Sequence, residues 1–275
     1  MKLILLRHGQ SSNTEIASIV LRDDYRAGTD DAVQREMEKC WLQHRQPDPG
    51  LTAQGQSEAA TLAQGLKREY LAAVMDLEEE TEISNVLEYR VLSSPMRRAL
   101  ETALPLADAL GLRTVVAEAD LCEVGGYYGA PGEPAAPSPS YIASAYGSAV
   151  DVSRLSGGST STGWWSDNDA EGLTEATSRA QRTAKKLISM AQGGDGGPDV
   201  VVVVSHDAYL QLLVSALLDC DARDDEDDLS TMPQAPLIPF SLMNTGTVAF
   251  DISTLDGEVT LLWLNRIDHF FVSAL

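Results

Sequence analysis

Apolar residues along the chain fall into short strand-like runs that alternate with longer stretches of helical spacing. The strand-like runs cover residues 2–6, 89–93, 113–117, 199–204 and 246–252, with a sixth near 258–264. Helical spacing covers residues 52–71, 96–110, 174–192 and 208–218, and Thr52 is the expected N-cap of the first helix. Alternating strands and helices predict an α/β fold, a three-layer α/β/α sandwich around a mainly parallel sheet. Five consecutive valines, residues 200–204, fit a central strand that is buried on both faces.

Two regions interrupt this alternation because they carry no strong strand signal. They are residues 12–50 and residues 124–170, and the second is rich in Gly, Pro, Ser and Tyr. We therefore expect one domain over residues 1–275 with insertions at about 12–50 and 124–170, the second forming an ordered lid. Two interpretations of its aromatic residues stay open, since they either line the mouth of a site or pack the lid onto the body. These residues are Tyr127, Tyr128, Trp164 and Trp165.

The chain is strongly acidic, with 41 Asp and Glu against 20 Lys and Arg and a formal net charge of −21. This charge argues against nucleic acid or an anionic membrane as a partner, and no apolar run approaches the length of a membrane span. The three cysteines, Cys40, Cys122 and Cys220, are few and widely spaced. They match neither a disulfide framework nor a metal site, which predicts a reduced, cytoplasmic compartment.

Two of the four histidines stand where an apolar run ends. His8 follows Arg7 after the first run, and His206 follows the valines. Ligands of open α/β sheets bind at the carboxyl ends of the strands. An arginine fork matches two phosphate oxygens, a neutral imidazole can accept a phosphoryl group, and Gly9 offers an unhindered N–H. This edge is therefore a candidate phosphate site.

Two further segments supply the remaining chemistry of such a site. Arg97 and Arg98 lie in the first turn of the predicted helix 96–110, which follows Ser94-Pro95, and positive charge there opposes the helix dipole unless an anion binds nearby. We expect Arg98 to point inward and Arg97 to lie nearer solvent. Glu123 follows the 113–117 run, and a carboxyl group there could protonate a leaving alkoxide and then activate water. A neighbouring phosphate would raise its pKa.

Together, in this order, the motifs Arg-His-Gly, Ser-Pro-x-x-Arg-Ala, Leu-x-Glu and Ser-His resemble the histidine phosphatase superfamily, also called phosphoglycerate mutase-like. A Leu-Thr-x-x-Gly segment at residues 51–55 matches too, and the resemblance runs from Leu3 to about His269. It implies that His8 is the nucleophile, that Glu123 is the proton donor, and that no metal or organic cofactor takes part. It also implies that Arg7, Arg98 and His206 bind the phosphoryl group.

The chain departs from the family pattern at three places. Asp207 stands where a glycine often follows the second histidine. The asparagine common after the first motif is not in its usual place, so its role falls to Asn13, to Thr14 or to neither. Residues 12–50 lack the Trp-Asn-rich stretch of the glycolytic mutases, so the general phosphatase branch is the better match. The candidate substrate-binding residues are Arg7, Gly9, Asn13, Arg98 and Asp207. We interpret His269 as structural and His44 as a surface residue.

The expected function is metal-independent hydrolysis of a small phosphomonoester through a phosphohistidine, as in a histidine acid-type phosphatase. A phosphoglycerate-type mutase is one alternative. A non-catalytic sensor of a phosphorylated ligand is the other, motivated by Asp207 and the displaced asparagine. The residues do not fix the oligomeric state, and a homodimer formed through the last strands stays open.

Overall fold

The strands and helices of the computed structural model alternate along the chain as the apolar pattern predicts. It describes residues 1–18, 39, 43–66, 87–127, 136–155, 163–165, 171–193, 197–219 and 240–270. The strands are β1 (Lys2–Arg7), β2 (Tyr89–Ser93), β3 (Val115–Ala117), β4 (Val150–Asp151), β5 (Val200–Ser205), β6 (Thr247–Ile252) and β7 (Val259–Arg266). The helices with both ends in the described segments are α1 (Ala53–Gly65), α2 (Arg97–Ala109), α3 (Pro139–Tyr146), α4 (Leu173–Ala191) and α5 (Asp207–Asp219). Residues 12–18 are helical as well.

The seven strands form one mixed sheet in the order β4-β3-β2-β5-β1-β6-β7. The first five strands in this order are parallel to their neighbours, whereas β6 and β7 pair antiparallel. The carboxyl ends of β1, β2, β3 and β5 therefore meet at one edge. The expected mainly parallel sheet is confirmed.

Helices cover both faces of the sheet, and strand alternation decides which side chains each face receives. Ile4 and Leu6 pack in the core beneath α1 and α2, with Val202 and Val204. Leu3 and Leu5 pack in the opposite core with α4 and α5. The α/β/α sandwich is thus confirmed, and consecutive residues at a strand end must point to opposite faces.

Observed elements match the predicted ones to within a few residues at their ends. The predicted N-cap is confirmed, because the Thr52 hydroxyl accepts the N–H of Gly55 at 3.1 Å. The predicted end of the first helix, at residues 67–71, lies outside the described residues. The sequence-based prediction missed α3 and β4, which lie inside the second predicted insertion.

The described part of residues 124–170 belongs to the body of the molecule. Ile142 of α3 and Val150 of β4 pack in the core beneath α2, and β4 extends the sheet. Tyr127 and Trp164 are also buried there, with ring centroids 5.9 Å apart. Tyr128 and much of both insertions lie outside the described residues, so the lid stays a prediction. None of the described helices combines the length and apolar character that a membrane crossing requires.

Candidate active site

The register of two parallel strands brings the two strand-end histidines together. Arg7 of β1 pairs with Ser205 of β5, so the next residues, His8 and His206, are neighbours at the sheet edge. Both side chains are buried, and their ring centroids lie 5.1 Å apart. Each histidine comes two residues after a core residue of the α1/α2 face, His8 after Leu6 and His206 after Val204. Because side chains alternate along a strand, both rings point to that face of the sheet.

Hydrogen bonds assign the two ring nitrogens of His8 different roles. Nδ1 lies 2.7 Å from the carbonyl oxygen of Gly9, an acceptor, so Nδ1 carries the proton. Nε2 is then unprotonated, and its lone pair accepts a hydrogen bond from Nε of Arg98 at 3.1 Å. The neutral ring therefore presents a nucleophilic nitrogen that faces a guanidinium group.

The two adjacent arginines of α2 differ in the way the sequence predicts. Arg98 is only 8% exposed and contacts His8, whereas the Arg97 side chain is 60% exposed. Arg97 forms an ion pair with Glu101 at 2.6 Å, one helical turn along. Its backbone N–H donates to Asp48 at 2.9 Å, so Asp48 caps the start of the helix that carries Arg98.

The Arg7 side chain lies on the opposite face of the sheet, and one nitrogen of its guanidinium holds it in place. Its Nη1 donates to the carbonyl of Leu242 and lies 3.5 Å from the Asp207 carboxylate. Its buried Nε has no hydrogen-bond partner among the described residues. An unpaired buried donor on a fixed arginine is a feature that an anion would satisfy.

The His206 ring offers a second unpaired buried atom. Its Nε2 lies 2.8 Å from the Ser94 hydroxyl, and within the described part of the chain its Nδ1 has no partner. If the Ser94 hydroxyl donates to Nε2, the ring proton sits on Nδ1 and is available to a ligand. Helix α5 begins at the next residue, and its N-terminal dipole favours an anion at the same place.

Glu123 lies at the same edge, after the 3₁₀ turn Ala119–Leu121 that follows β3. Its Oε1 accepts the backbone N–H groups of Val124 at 2.9 Å and Tyr209 at 3.0 Å. Nothing within the described segments donates to its Oε2. The carboxyl group is thus fixed by one oxygen while the other stays available for proton transfer.

Burial and the cluster of positive charge shift the pKa values of these groups in opposite directions. Burial, then the charges of Arg98 and Arg7, hold the pKa of His8 well below its ordinary value, as burial and Arg98 do for His206. Burial raises the pKa of Glu123, opposed by Arg98 and the two N–H donors. The site therefore combines imidazoles whose pKa is lowered with a carboxyl group whose pKa is raised.

The structure differs from the sequence-based expectation at Gly9. Its N–H donates to the Thr102 hydroxyl at 3.0 Å and so is committed to α2 instead of a ligand. A side chain here would meet the Gly55 carbonyl oxygen at 2.7 Å, so glycine is needed for the contact with α1. Close packing, and not phosphate access, explains this glycine.

Asn13 and Asp207, where the sequence departs from the family pattern, also form hydrogen bonds with other residues of the protein. The Asn13 side chain exchanges two hydrogen bonds with the backbone of Gln46, at 2.7 and 2.8 Å. Asp207 turns its carboxylate toward Ser241 and the N–H of Leu242, at 2.7 and 2.8 Å. Neither arrangement aims a donor at the space beside His8.

Sequence reasoning missed two residues that support the site. Thr102 accepts from Gly9 and donates to the carbonyl of Arg98 at 2.8 Å, so it joins the loop after β1 to α2. Arg179 of α4 is 4% exposed and binds the loop that carries Glu123. Both could have been found, because each is a polar residue on the apolar stripe of its helix.

Two further histidines, His44 and His269, lie within the described residues. His269 is buried, its Nε2 lies 3.0 Å from the Thr245 hydroxyl, and burial lowers its pKa to about 4. Its Cβ would be 2.7 Å from a side chain placed at Gly65, so it packs against the end of α1. His44 is exposed. No cluster of three or more His, Cys, Asp or Glu suited to a metal ion occurs in the described segments.

Comparison with known proteins gives one family match and several similar structures. The model of the histidine phosphatase superfamily (branch 1) matches residues 3–227. No curated protein sequence matches the chain.

Three solved structures illustrate the shared fold. Phosphoserine phosphatase from Entamoeba histolytica in complex with 3-phosphoglyceric acid is 20% identical with a TM-score of 0.51, covering 98% of each chain. Ecdysone phosphate phosphatase from Bombix mori with tungstate is 17% identical with a TM-score of 0.58, covering 97% of this chain and 93% of that one. A mycobacterial glucosyl-3-phosphoglycerate phosphatase with inorganic phosphate is 19% identical with a TM-score of 0.52, covering 98% of each chain.

Proposed function

Because the chain belongs to branch 1 of the histidine phosphatase superfamily, we propose that it hydrolyses small phosphomonoesters through a covalent phosphohistidine at His8. The observation that carries this proposal is the arrangement of His8 itself. Its Nδ1 is committed to a carbonyl and its Nε2 lone pair faces Arg98. No proton has to leave the ring before attack, because the lowered pKa keeps the imidazole neutral.

In the first step Nε2 of His8 attacks phosphorus while the bond from phosphorus to the ester oxygen breaks. Glu123 donates its proton to that oxygen, and the alcohol departs. The phosphoryl oxygens take hydrogen bonds from Arg98 and from the unpaired nitrogens of Arg7 and His206. The Arg98 N–H that donates to Nε2 in the free protein turns to a phosphoryl oxygen when that lone pair attacks. The charges and donors held at this edge stabilise the transition state, which is where most catalysis of phosphoryl transfer arises.

In the second step the Glu123 carboxylate removes a proton from water, which attacks the phosphohistidine. The bond from phosphorus to Nε2 breaks, inorganic phosphate leaves, and His8 and protonated Glu123 are restored. Residues Arg7, Arg98 and His206 supply the charge and hydrogen bonds, so the proposed cycle involves no metal.

Small phosphomonoesters are the proposed substrates because the similar structures carry the names of phosphatases for phosphoserine, ecdysone phosphate and glucosyl-3-phosphoglycerate. The proposal has one phosphoryl group bound by the buried Arg98 and His206 and by Arg7, whose side chain is 17% exposed. A single dense anion site of this kind recognises the phosphate and leaves the choice of alcohol to other residues.

The test is phosphate release from a panel of phosphomonoesters, including p-nitrophenyl phosphate and 3-phosphoglycerate, with and without EDTA. We expect release that EDTA does not diminish and that His8→Ala reduces at least about 10³-fold. Isomerisation of 3-phosphoglycerate faster than its hydrolysis would indicate a mutase instead. Tight binding of the esters with no turnover of any of them would indicate a sensor.

A further inference from the structure

A buried arginine on α4 uses all of its hydrogen-bonding capacity around the loop that carries Glu123. Arg179 donates from Nη1 to the carbonyls of Asp120 at 2.7 Å and Cys122 at 2.9 Å, and from Nη2 to that of Glu123 at 3.4 Å. Its other two donors bind the Glu171 carboxylate at 2.8 and 2.5 Å. All five N–H groups of the guanidinium are thus used.

The Arg179 guanidinium also contacts Tyr209, the residue whose backbone N–H binds the Glu123 carboxyl group. It lies 4.2 Å from the centre of the Tyr209 ring, whose hydroxyl lies 2.8 Å from that of Thr183. The backbone N–H of Tyr209 in turn donates to Oε1 of Glu123. Arg179 therefore contacts both the backbone of Glu123 and the residue that holds its side chain.

The pairing with Glu171 makes this arrangement stable in a buried place. The two side chains are 5% and 7% exposed and form a bidentate pair, so neither charge is left uncompensated. Glu171 also donates its backbone N–H to the carbonyl of Gly125 at 3.2 Å. The pair thus fixes the loop after β3 on both sides of Glu123.

We propose that Arg179 is a positioning residue for proton donation by Glu123, an inference that rests on the proposed phosphatase function. No hydrogen bond or ion pair joins Arg179 to His8 or to the groups proposed to bind phosphate within the described segments, although its charge helps to lower the pKa of His206. An exchange of Arg179 that keeps this charge should therefore act only where the leaving group needs a proton.

The experiment compares kcat/KM for two esters, because this ratio reports the step in which the alcohol leaves. Phenyl phosphate has a basic leaving group that requires a proton, whereas 2,4-dinitrophenyl phosphate leaves as a stable anion. Arg179→Lys keeps the charge beside Glu171 but replaces the planar fork with a single ammonium group. The matched control is Arg182→Lys, the same exchange at an exposed position on the same helix.

We expect Arg179→Lys to lower kcat/KM for phenyl phosphate by about 10-fold or more, within the roughly 10²- to 10⁴-fold range of general acid catalysis. The value for dinitrophenyl phosphate should change by less than about 3-fold, and Arg182→Lys should change neither. In the Glu123→Gln background, Arg179→Lys should cause no further loss on phenyl phosphate. Glu171→Gln gives the same comparison if the lysine variant lacks a cooperative thermal transition.

Equal losses on both esters, or losses that multiply in the double variant, would overturn the positioning role and leave the phosphatase function intact. Failure of the unmodified protein to hydrolyse either ester would overturn the proposed function and this inference with it.

Discussion

Two neighbouring residues at the end of β1 serve opposite faces of the sheet. Arg7 reaches Asp207 and Leu242 on the α5 side, whereas His8 reaches Arg98 on the α2 side. The alternation of Leu3 to Leu6 between the two cores continues into this pair. A phosphoryl group at this edge would therefore be approached from both faces by residues that are adjacent in the chain.

Replacing the two α2 arginines one at a time tests whether Arg98 acts in the site while Arg97 acts only on the surface. Arg98→Ala removes the buried guanidinium beside Nε2 of His8, and we expect kcat/KM to fall by about 10² to 10³. Arg97→Ala removes an exposed ion pair and should change it less than about 3-fold, since such pairs contribute little. Steady-state kinetics on p-nitrophenyl phosphate measure both, and equal effects would contradict the inward role of Arg98.

The pH dependence of kcat/KM should report His8 and Glu123. His8 must be neutral, and its lowered pKa places the acid limb below the ordinary histidine value of about 6.5. Glu123 must be protonated, and its raised pKa places the basic limb above the ordinary glutamate value of about 4.3. Activity is then lost as the pH rises through the pKa of Glu123.

Two variants assign that basic limb. Glu123→Gln should abolish it, and Asp207→Asn should move it to lower pH, because the Asp207 charge helps to raise the pKa of Glu123. A limb that stays unchanged in Glu123→Gln would belong to another group, such as the substrate.

Contact between α1 and the loop after β1 depends on two glycines. A side chain at Gly55 would lie 2.0 Å from the carbonyl oxygen of Gln10, and one at Gly9 would lie 2.7 Å from that of Gly55. Backbones this close leave no space for Cβ. The loop that carries His8 is thus held directly against the start of a helix.

We expect Gly55→Ala to push α1 away from that loop. It should lower the free energy of unfolding by roughly 1–3 kcal/mol through overpacking. It should also lower kcat by about 10-fold or more, since small displacements of reacting groups are costly. Gly193→Ala is the matched control, because its nearest neighbour would be at an ordinary 3.4 Å. Denaturant unfolding and kinetics that do not distinguish the two variants would contradict this role.

Which elements the sequence predicts depends on their length and pattern. The alternating or wholly apolar strands and the capped helix at Thr52 were predicted because each carries a local signal. Strand β4 has only two residues, too few to show alternation. Helix α3 has eight residues, of which only Ile142 is buried, although Ser138 caps it and Pro139 follows. That Ser-Pro pair was the available signal.

At the scale of the whole molecule, strand order assembles the site. Residues 8, 98, 123 and 206 come from four distant segments, brought together because β5 lies between β1 and β2 and β3 follows β2. Motif order predicts which residues belong together. It does not predict Arg179, whose role depends on how α4 packs against the loop after β3.

The net charge of −21 surrounds a site built to bind an anion. The net negative charge repels an anionic substrate at long range, and salt screens this repulsion. Salt screens the buried contacts of Arg98 much less. We therefore expect kcat/KM for p-nitrophenyl phosphate to rise with ionic strength between about 0.01 and 0.15 M. Potassium and tetramethylammonium chlorides should act alike, and a steady fall in both would contradict this expectation.

The most direct test of the central proposal is rapid quenching of the protein with a phosphomonoester labelled in its phosphoryl group. We expect a label that is stable to base and labile to acid, located on His8 and absent from His8→Ala. Hydrolysis by His8→Ala at the rate of the unmodified protein, or a label on another residue, would contradict it.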